Sequence, residues 1–217
     1  KVGIHDQSFL LHKLCSFSSG VLPGPTLPTP YIHLFLCMFP EQVSLADECG
    51  KLPLHYACIF YGQTDDVKTN EAIENEPKQP HGWLEEGGCR KSHVDILLHR
   101  NSNAARVADN TNRLPLHHSI ESLKEIRMHN HSQKTIQGGN TQDNVEESND
   151  DSFDSESSNM WKKNIKSLAE AFPDGVEHID SKSRLYPFMQ AAAGPGACLE
   201  TVYFLLSHSP TLVMIQK

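Results

Sequence analysis

Residues 47–58 read DECGKLPLHYAC, and residues 109–120 repeat the arrangement as DNTNRLPLHHSI. In both stretches a Pro-Leu-His triplet begins six residues after an Asp. A looser third copy starts at Asp180, where Pro187 follows seven residues later. A segment that recurs with fixed internal spacing is the sequence signature of a repeat architecture, so matching positions are expected along the rest of the chain.

Apolar residues precede each Asp at constant distances of fifteen, twelve, eleven and four residues. These positions hold Ile32, Phe35, Leu36 and Val43, then Val94, Leu97, Leu98 and Ala105, then Ile165, Leu168, Ala169 and Val176. A fourth set, with Lys217 in the place of the Asp, consists of Val202, Leu205, Leu206 and Val213. Spacings of i, i+3 and i+4 mark one face of an amphipathic helix. Each copy is therefore predicted to contain a helix that is buried along this face.

Each copy also predicts a shorter helix that starts at its proline. The three starting residues are Pro53, Pro115 and Pro187. Proline suits the first helical position, because the N–H group that it lacks would have no partner there. The opening stretch HDQSFLLHKLC, residues 5–15, is predicted as a further helix of this kind without its proline.

With these elements in place, the chain resembles an ankyrin-repeat protein of the degenerate type found in protists and algae. The family pattern Asp-x-x-Gly-x-x-Pro-Leu-His-x-Ala stands intact at Asp47, Gly50, Pro53, Leu54, His55 and Ala57, and in part at Asp109, Pro115, Leu116 and His117. Once the inserts are set aside, the resemblance covers all 217 residues. It implies an all-α solenoid of about four helix pairs, with approximate repeats at 1–46, 47–108, 109–179 and 180–217.

The resemblance also implies roles for these residues. Asp47 and Gly50 shape the turn into the helix, and Asn112 and Ser183 stand in the place of Gly50 in the copies that begin at Asp109 and Asp180. The prolines start the helices, the leucines point inward, and the histidines tie adjacent repeats together. Five residues after each Asp, where the family carries Thr, the sequence has Leu52, Leu114 and Leu185. The loss of that cap is expected to cost about 1 kcal/mol per helix.

Two long inserts separate the paired helices. The first, at 62–90, is polar with Pro and Gly punctuation, and the second, at 128–159, is acidic and rich in Ser. Between Lys134 and Lys162 the second insert carries seven Asp and Glu residues and no Lys or Arg. Such a segment buries too little apolar surface to offset its ordering entropy, so it is predicted to be disordered.

Several functional classes are disfavoured by composition. A formal charge of −8 argues against nucleic acid as a ligand. The longest apolar run, residues 31–39, is about half of the length that a bilayer span needs. The six cysteines form no CxxC pair, which favours reduced thiols in the cytoplasm or nucleus. The sequence lacks GxSxG, HExxH and P-loop motifs, so we predict no catalytic residues, no enzyme activity and no cofactor.

The thirteen histidines invite a metal-binding interpretation. Cys89, His93 and His99 have partial ligand spacing, and His129 and His131 form an HxH pair. No second matching pair completes four zinc ligands, so we predict no metal site.

The predicted function is a non-catalytic scaffold for protein–protein interaction. The predicted partner-binding residues are Lys51, Tyr56, Arg113, His118, Arg184 and Gln190. Basic side chains stand four residues after each Asp, and they are predicted to form a ladder that suits an acidic protein partner. Two alternatives stay open: a regulatory ankyrin segment of a larger enzyme or channel, and a metal-binding protein that uses His and Cys.

Overall fold

The computed structural model describes residues 10–17, 29–59, 92–137, 156–210 and 212. These ranges contain helices and no strand, so the described part of the chain is all-α, as predicted. The α-helices are α1 (Leu10–Phe17), α2 (Thr29–Met38), α3 (Pro53–Ala57), α4 (His93–Arg100), α5 (Pro115–Gln137), α6 (Glu156–Ala171), α7 (Pro187–Ala192) and α8 (Leu199–His208). Short 3-10 helices span Pro40–Ser44, Ser102–Arg106 and Pro173–Glu177.

The proline-initiated helices begin where the sequence predicts. Prolines occupy the first position of α3, α5 and α7, and an extended residue precedes α3 and α7. In the third copy this N-cap residue is Tyr186, whereas the sequence placed Leu185 there. The difference arises because the third turn has one residue more than the other two. Helix α4 begins differently, with a capping box in which the Asp95 N–H donates to Ser92 Oγ at 3.0 Å.

Each of α2, α4 and α6 continues into a 3-10 helix through the same backbone step. The linking residues Phe39, Asn101 and Phe172 have φ of −136°, −149° and −143°. Ser209 repeats this conformation after α8, with φ of −140°. The repeating unit identified in the sequence is therefore also a repeating unit of backbone conformation.

The helices pack in two rows. In one row α1 contacts α3, α3 contacts α5, and α5 contacts α7. In the other row α2 contacts α4, α4 contacts α6, and α6 contacts α8. Cross-contacts join α1 to α2, α3 to α4, α5 to α6 and α7 to α8. Each helix thus packs mainly against its partner in the other row and its neighbours in its own row.

The core lies between the two rows and contains the predicted apolar positions. All twelve positions of the first three sets are buried, from Ile32 to Val176. In the fourth set Leu205 is buried, Val202 and Leu206 are half-buried, and Val213 lies outside the described residues. The predicted helix faces are confirmed, because positions three and four residues apart point to the same side.

The second insert is shorter than the sequence predicts. Helix α5 continues to Gln137 and α6 already begins at Glu156, so both ends of the predicted insert 128–159 are helical. The polar extension contains good helix formers, and the long helices α5 and α6 pack against each other. Residues that composition alone assigned to a loop are thus helical at both ends of the predicted insert. Residues 138–155 and the first insert, 62–90, lie outside the described residues.

Candidate functional site

Turns that begin at Asp47, Asp109 and Asp180 share the same backbone hydrogen bonds. In each turn the Asp N–H donates to a carbonyl four or five residues later. The accepting residues are Lys51, Arg113 and Leu185, all at an N–O distance of 3.0 Å. The carbonyl of each Asp also accepts a hydrogen bond from a backbone N–H later in its turn. The donors, in order, are Gly50, Asn112 and Arg184, at 2.8–2.9 Å. These shared bonds align the three copies without reference to side chains.

The carboxylate of Asp47 holds its turn together. Its Oδ1 accepts the N–H groups of Cys49 and Lys51 at 2.9 and 2.8 Å. Its Oδ2 accepts the hydroxyl of Tyr56 at 2.6 Å, which ties the turn to α3. Burial by itself would raise the pKa of Asp47, but these hydrogen bonds outweigh that effect and lower it.

Asp109 repeats this arrangement in a more buried setting. Its Oδ1 accepts the N–H and the hydroxyl of Thr111, at 2.9 and 2.6 Å, and the N–H of Arg113 at 3.0 Å. Its Oδ2 lies 3.0 Å from Nε2 of His118, the counterpart of Tyr56. Burial opposes ionisation, yet the hydrogen bonds from Thr111, Arg113 and His118 lower the pKa of Asp109 to about 2. The Asp109 carboxylate is therefore ionised at neutral pH.

Asp180 serves the third turn with a different set of donors. Its Oδ2 accepts the hydroxyl of Ser183 at 2.8 Å, and its Oδ1 accepts the N–H of Lys182 at 3.2 Å. The same Oδ1 also accepts Nε of Arg113, from the preceding turn, at 2.8 Å. Despite burial, these bonds and the Arg113 charge lower the pKa of Asp180.

Each turn places one residue in the left-handed region of backbone conformation. These residues are Gly50 with φ of 71°, Asn112 with φ of 57° and Arg184 with φ of 59°. The sequence suggested Ser183 for the third turn, but the extra residue of that turn moves the strained position to Arg184. Glycine adopts this region freely, whereas an ordinary side chain such as Arg is strained there.

Adjacent turns are bonded to one another. The Asn110 N–H donates to the Cys49 carbonyl at 2.9 Å, and the Ser181 hydroxyl donates to the Asn112 carbonyl at 3.2 Å. The approach is so close at Gly50 that a Cβ there would lie 2.3 Å from Oδ1 of Asn110. The three turns therefore form one continuous edge, which we call the turn edge.

His55 and His117 cap the helices that lack the family's Thr. Nδ1 of each ring accepts the N–H of the helix N-cap, Leu52 or Leu114, at 3.0 Å. The remaining proton lies on Nε2, and in His117 it is donated to the carbonyl of His178 at 2.9 Å. Burial lowers the pKa of both rings to about 4, so they are neutral at physiological pH. The expected loss of capping is thus offset by the histidine of the same repeat.

Helix α1 is bonded to the first turn through His12. Its Nε2 bonds to the carbonyl of Lys51 at 3.0 Å, which links α1 to the first turn. Helix α1 thereby joins the proline-initiated helices even though it has no proline. The helix predicted within the opening stretch is present as α1, and its membership of the repeat stays a prediction.

Arg113 is not available to a partner, contrary to the prediction. The residue is only 5% exposed. Its Nε bonds to Asp180 and its Nη1 lies 2.9 Å from Glu121, which also accepts Nζ of Lys182 at 2.6 Å. The carboxylates of Asp180 and Glu121 make this burial possible, since an interior guanidinium requires paired carboxylates. The predicted basic ladder is therefore interrupted at its middle position.

His118 and Gln190 also face inward. The buried His118 ring is hydrogen-bonded to the Asp109 carboxylate. Nε2 of Gln190 donates to the carbonyl of His117 at 3.3 Å. Tyr56 is half-buried, with its hydroxyl on Asp47. The Tyr56 and His118 side chains contact the carboxylate of their own turn, whereas the Gln190 amide contacts the backbone of α5.

Lys51 and Arg184 remain on the surface of the turn edge. Arg184 is exposed, and Nζ of the half-buried Lys51 lies 5.5 Å from the centre of the Tyr56 ring. Sequence reasoning missed Lys182 and Glu121, which also reach the surface here. The run Ser181–Arg184 contains two basic residues, and both Lys182 and Arg184 are exposed.

No metal site or membrane span is found in the described part of the chain. The described side chains include no cluster of three or more His, Cys, Asp or Glu residues suited to a metal ion. Within the same residues no helix has the length and apolar character that a bilayer crossing requires. His93 and His99 lie on α4, whereas Cys89 lies outside the described residues.

No known protein family model matches the sequence, and neither a curated protein nor a solved structure matches it significantly. What the chain does must therefore be inferred from its own geometry.

Proposed function

We propose that the chain is an ankyrin-like solenoid that binds another protein and catalyses no reaction. The observation that carries the proposal is the threefold Asp turn, with its shared pair of backbone hydrogen bonds and its link to the next turn. A repeated turn presents side chains at regular intervals along one edge. Solenoid proteins use such extended surfaces to bind their partners.

The packing of the helices supports the solenoid. Contacts run along each row from one helix to the next, and pairs form between the rows. Each described helix buries its apolar face against other helices, so each copy depends on its neighbours to bury apolar surface. This nearest-neighbour dependence is the defining property of repeat architectures.

Rigidity of the turn edge supports a binding role. The Arg113 bridge joins the second turn to Asp180 of the third, and Glu121 brings Lys182 into the same network. A surface that is already ordered loses little conformational entropy when a partner binds. The internal charges thus serve to hold the edge in one shape.

The surface of the edge suits an acidic partner. Lys51 and Arg184 keep exposed area there, and Lys182 is largely exposed beside Glu121. On a chain with a formal charge of −8, these cations form a local exception. Local positive charge accelerates association with a negative protein surface and helps to select it.

The cysteines support a reducing compartment, either the cytoplasm or the nucleus. Each described cysteine is a free thiol, and Cys15, Cys58 and Cys198 are buried. Burial raises the pKa of Cys58 to about 12, which keeps this thiol protonated and unreactive.

Comparative affinity capture tests the proposal. Bait proteins would be the unsubstituted chain, a turn-edge variant carrying Lys51→Glu and Arg184→Glu, and a control variant carrying Lys166→Glu. The control site is an exposed lysine on α6, away from the turn edge. Partners that are retained by the unsubstituted and control baits and lost by the turn-edge variant would support the proposal. A recombinant partner must then reproduce this order of affinities in calorimetry.

The contrary result is equally clear. If the turn-edge variant folds, as judged by circular dichroism, and retains the same proteins with the same affinity as the control, the turn edge is not the binding surface. Salt dependence supplies a further check, since loss of two exposed cations should weaken the decline of affinity with ionic strength.

A further inference from the structure

The row formed by α2, α4, α6 and α8 uses a fixed register of contacts. Positions are counted back from Asp47, Asp109 and Asp180, with Lys217 in the same place for α8. Residues ten, fourteen or eighteen before this reference, here called forward positions, touch the next helix. Residues nine, thirteen or seventeen before it, here called backward positions, touch the preceding helix. The contacts are Cys37–Arg100 at 3.8 Å, Asp95–Ser167 at 2.8 Å, Asp95–Lys163 at 3.3 Å and Lys162–Glu200 at 2.6 Å.

At the two ends of the row most of these positions are exposed and apolar. Two forward positions of α8 hold Leu199 and Tyr203, which are 84% and 76% exposed, and the third holds Ser207. The backward positions of α2 hold Leu34 and Met38, which are 58% and 57% exposed. Among the described residues these four are the most exposed large hydrophobic side chains. The four contacts named above, by contrast, are made by polar or charged groups and one thiol.

We propose that the two ends bind each other between copies of the chain. The forward face of α8 in one copy packs against the backward face of α2 in a second copy, in the register that joins α4 to α6. The contact is heterologous, so each copy keeps one free end and further copies can add.

The choice of a second copy follows from the register. A helix that fits the α8 face needs apolar residues at its backward positions, because Leu199 and Tyr203 offer no charge to pair. At positions thirteen and nine the row offers Ile96 with Arg100, Ser167 with Ala171, Phe204 with His208, and Leu34 with Met38. Only α2 combines two large apolar side chains there, and both are accessible. Uncovered apolar end faces are a solubility cost in a repeat array, and the contact removes this cost.

Sedimentation velocity on purified chains tests the proposal. The unsubstituted chain should associate beyond a dimer as its concentration rises. A forward-face variant, Leu199→Glu with Tyr203→Glu, and a backward-face variant, Leu34→Glu with Met38→Glu, should each weaken self-association about 100-fold or more. An equimolar mixture of the two variants should form a dimer and stop there, because one variant keeps its α2 face and the other keeps its α8 face.

A matched control is Ile179→Glu, since Ile179 is an exposed apolar residue on neither end face. This variant should associate like the unsubstituted chain. All four altered positions are exposed, so the variants should retain their helical circular dichroism. The proposal is wrong if the unsubstituted chain stays monomeric, if the control loses association equally, or if the two variants fail to associate when mixed. A monomeric chain would leave these faces to a different helical partner.

Discussion

At the scale of one residue, the carboxylate of Asp109 connects its turn to the helix that follows it. It accepts hydrogen bonds from its own turn through Thr111 and Arg113, and it reaches α5 through His118. His117, which directly precedes His118, caps α5 and bonds to the backbone of the following copy. Local turn, helix start and neighbouring copy are therefore joined by a few polar side chains.

Replacement of Arg184 by Gly should stabilise the chain. Arg184 is exposed and has φ of 59°, a conformation that costs an ordinary residue about 1–2 kcal/mol. Glycine removes that strain but makes the unfolded chain more flexible, which lowers the free energy of unfolding by about 0.5–1 kcal/mol. The expected net gain is about 0.5–1 kcal/mol in the free energy of unfolding, measured by urea denaturation.

Gly50→Ala is the matched opposite change. The same left-handed conformation and the contact with Asn110 leave no room for a Cβ, so this variant should lose stability. If Arg184→Gly destabilises the chain by more than Arg184→Lys does, the side chain of Arg184 has a stabilising contact that outweighs its strain.

The stability of the chain should fall as pH decreases from about 6.5 to about 4. Burial lowers the pKa of His55 and His117 to about 4, whereas the unfolded rings take up protons near 6.5. Acid therefore favours the unfolded state over this interval, and the full contribution of the rings is present only above it. The expected loss is about 3 kcal/mol per ring at the acid end.

Urea unfolding at a series of pH values measures this dependence. His117→Gln should reduce its slope between pH 6.5 and 4, although it also lowers stability at neutral pH through the lost cap. Leu45→Gln, at an exposed apolar position, supplies the control, because it removes no titratable group and should leave the slope unchanged. A stability that stays constant across the interval would show that the two rings are not held neutral in the folded chain.

At the residue scale, the repeated spacing located the turn residues but did not show which group each side chain contacts. It located the turn residues correctly, because Asp, Gly and Pro have strong local preferences. It assigned Arg113 and His118 to the surface, because spacing alone does not show that Asp180 or Asp109 lies opposite them. One additional residue in the third turn was enough to move the left-handed position from Ser183 to Arg184.

At the scale of elements, helix faces were predictable and helix ends were not. The buried sets around Leu97 and Leu168 follow from a spacing that is independent of the rest of the fold. The continuation of α5 to Gln137 and the start of α6 at Glu156 were not predicted, because polar composition alone assigned these residues to a loop.

Leu97→Ala and Leu168→Ala should each lower the free energy of unfolding by about 2–5 kcal/mol. Both side chains are completely or almost completely buried at equivalent positions of α4 and α6. Leu10→Ala, at an exposed position of α1, is the control and should be nearly neutral. Chemical denaturation of the three variants checks the prediction, and near-neutral effects at both buried positions would break the equivalence of α4 and α6.

At the scale of the whole molecule, stability depends on contacts between successive copies. The Arg113 bridge, the His117 bond and the bonds between turns all connect a copy to the next one along the chain. Damage to one copy should therefore spread first to its neighbours, and local unfolding should follow the order of the rows. Among the described helices of the second row, α2 is the first and α8 the last, and both carry exposed apolar side chains.

Residue-resolved amide hydrogen exchange tests the central claim, that the chain is a stack of equivalent copies joined at the turn edge. The N–H groups of Asp47, Asp109 and Asp180 each donate to a carbonyl within their own turn, and that of Asn110 donates across to the neighbouring turn. The account predicts that all four exchange slowly, together with the capped N–H groups of Leu52 and Leu114. Unprotected exchange at Asp109, Asp180 and Asn110, in a chain whose helices remain protected, would contradict it.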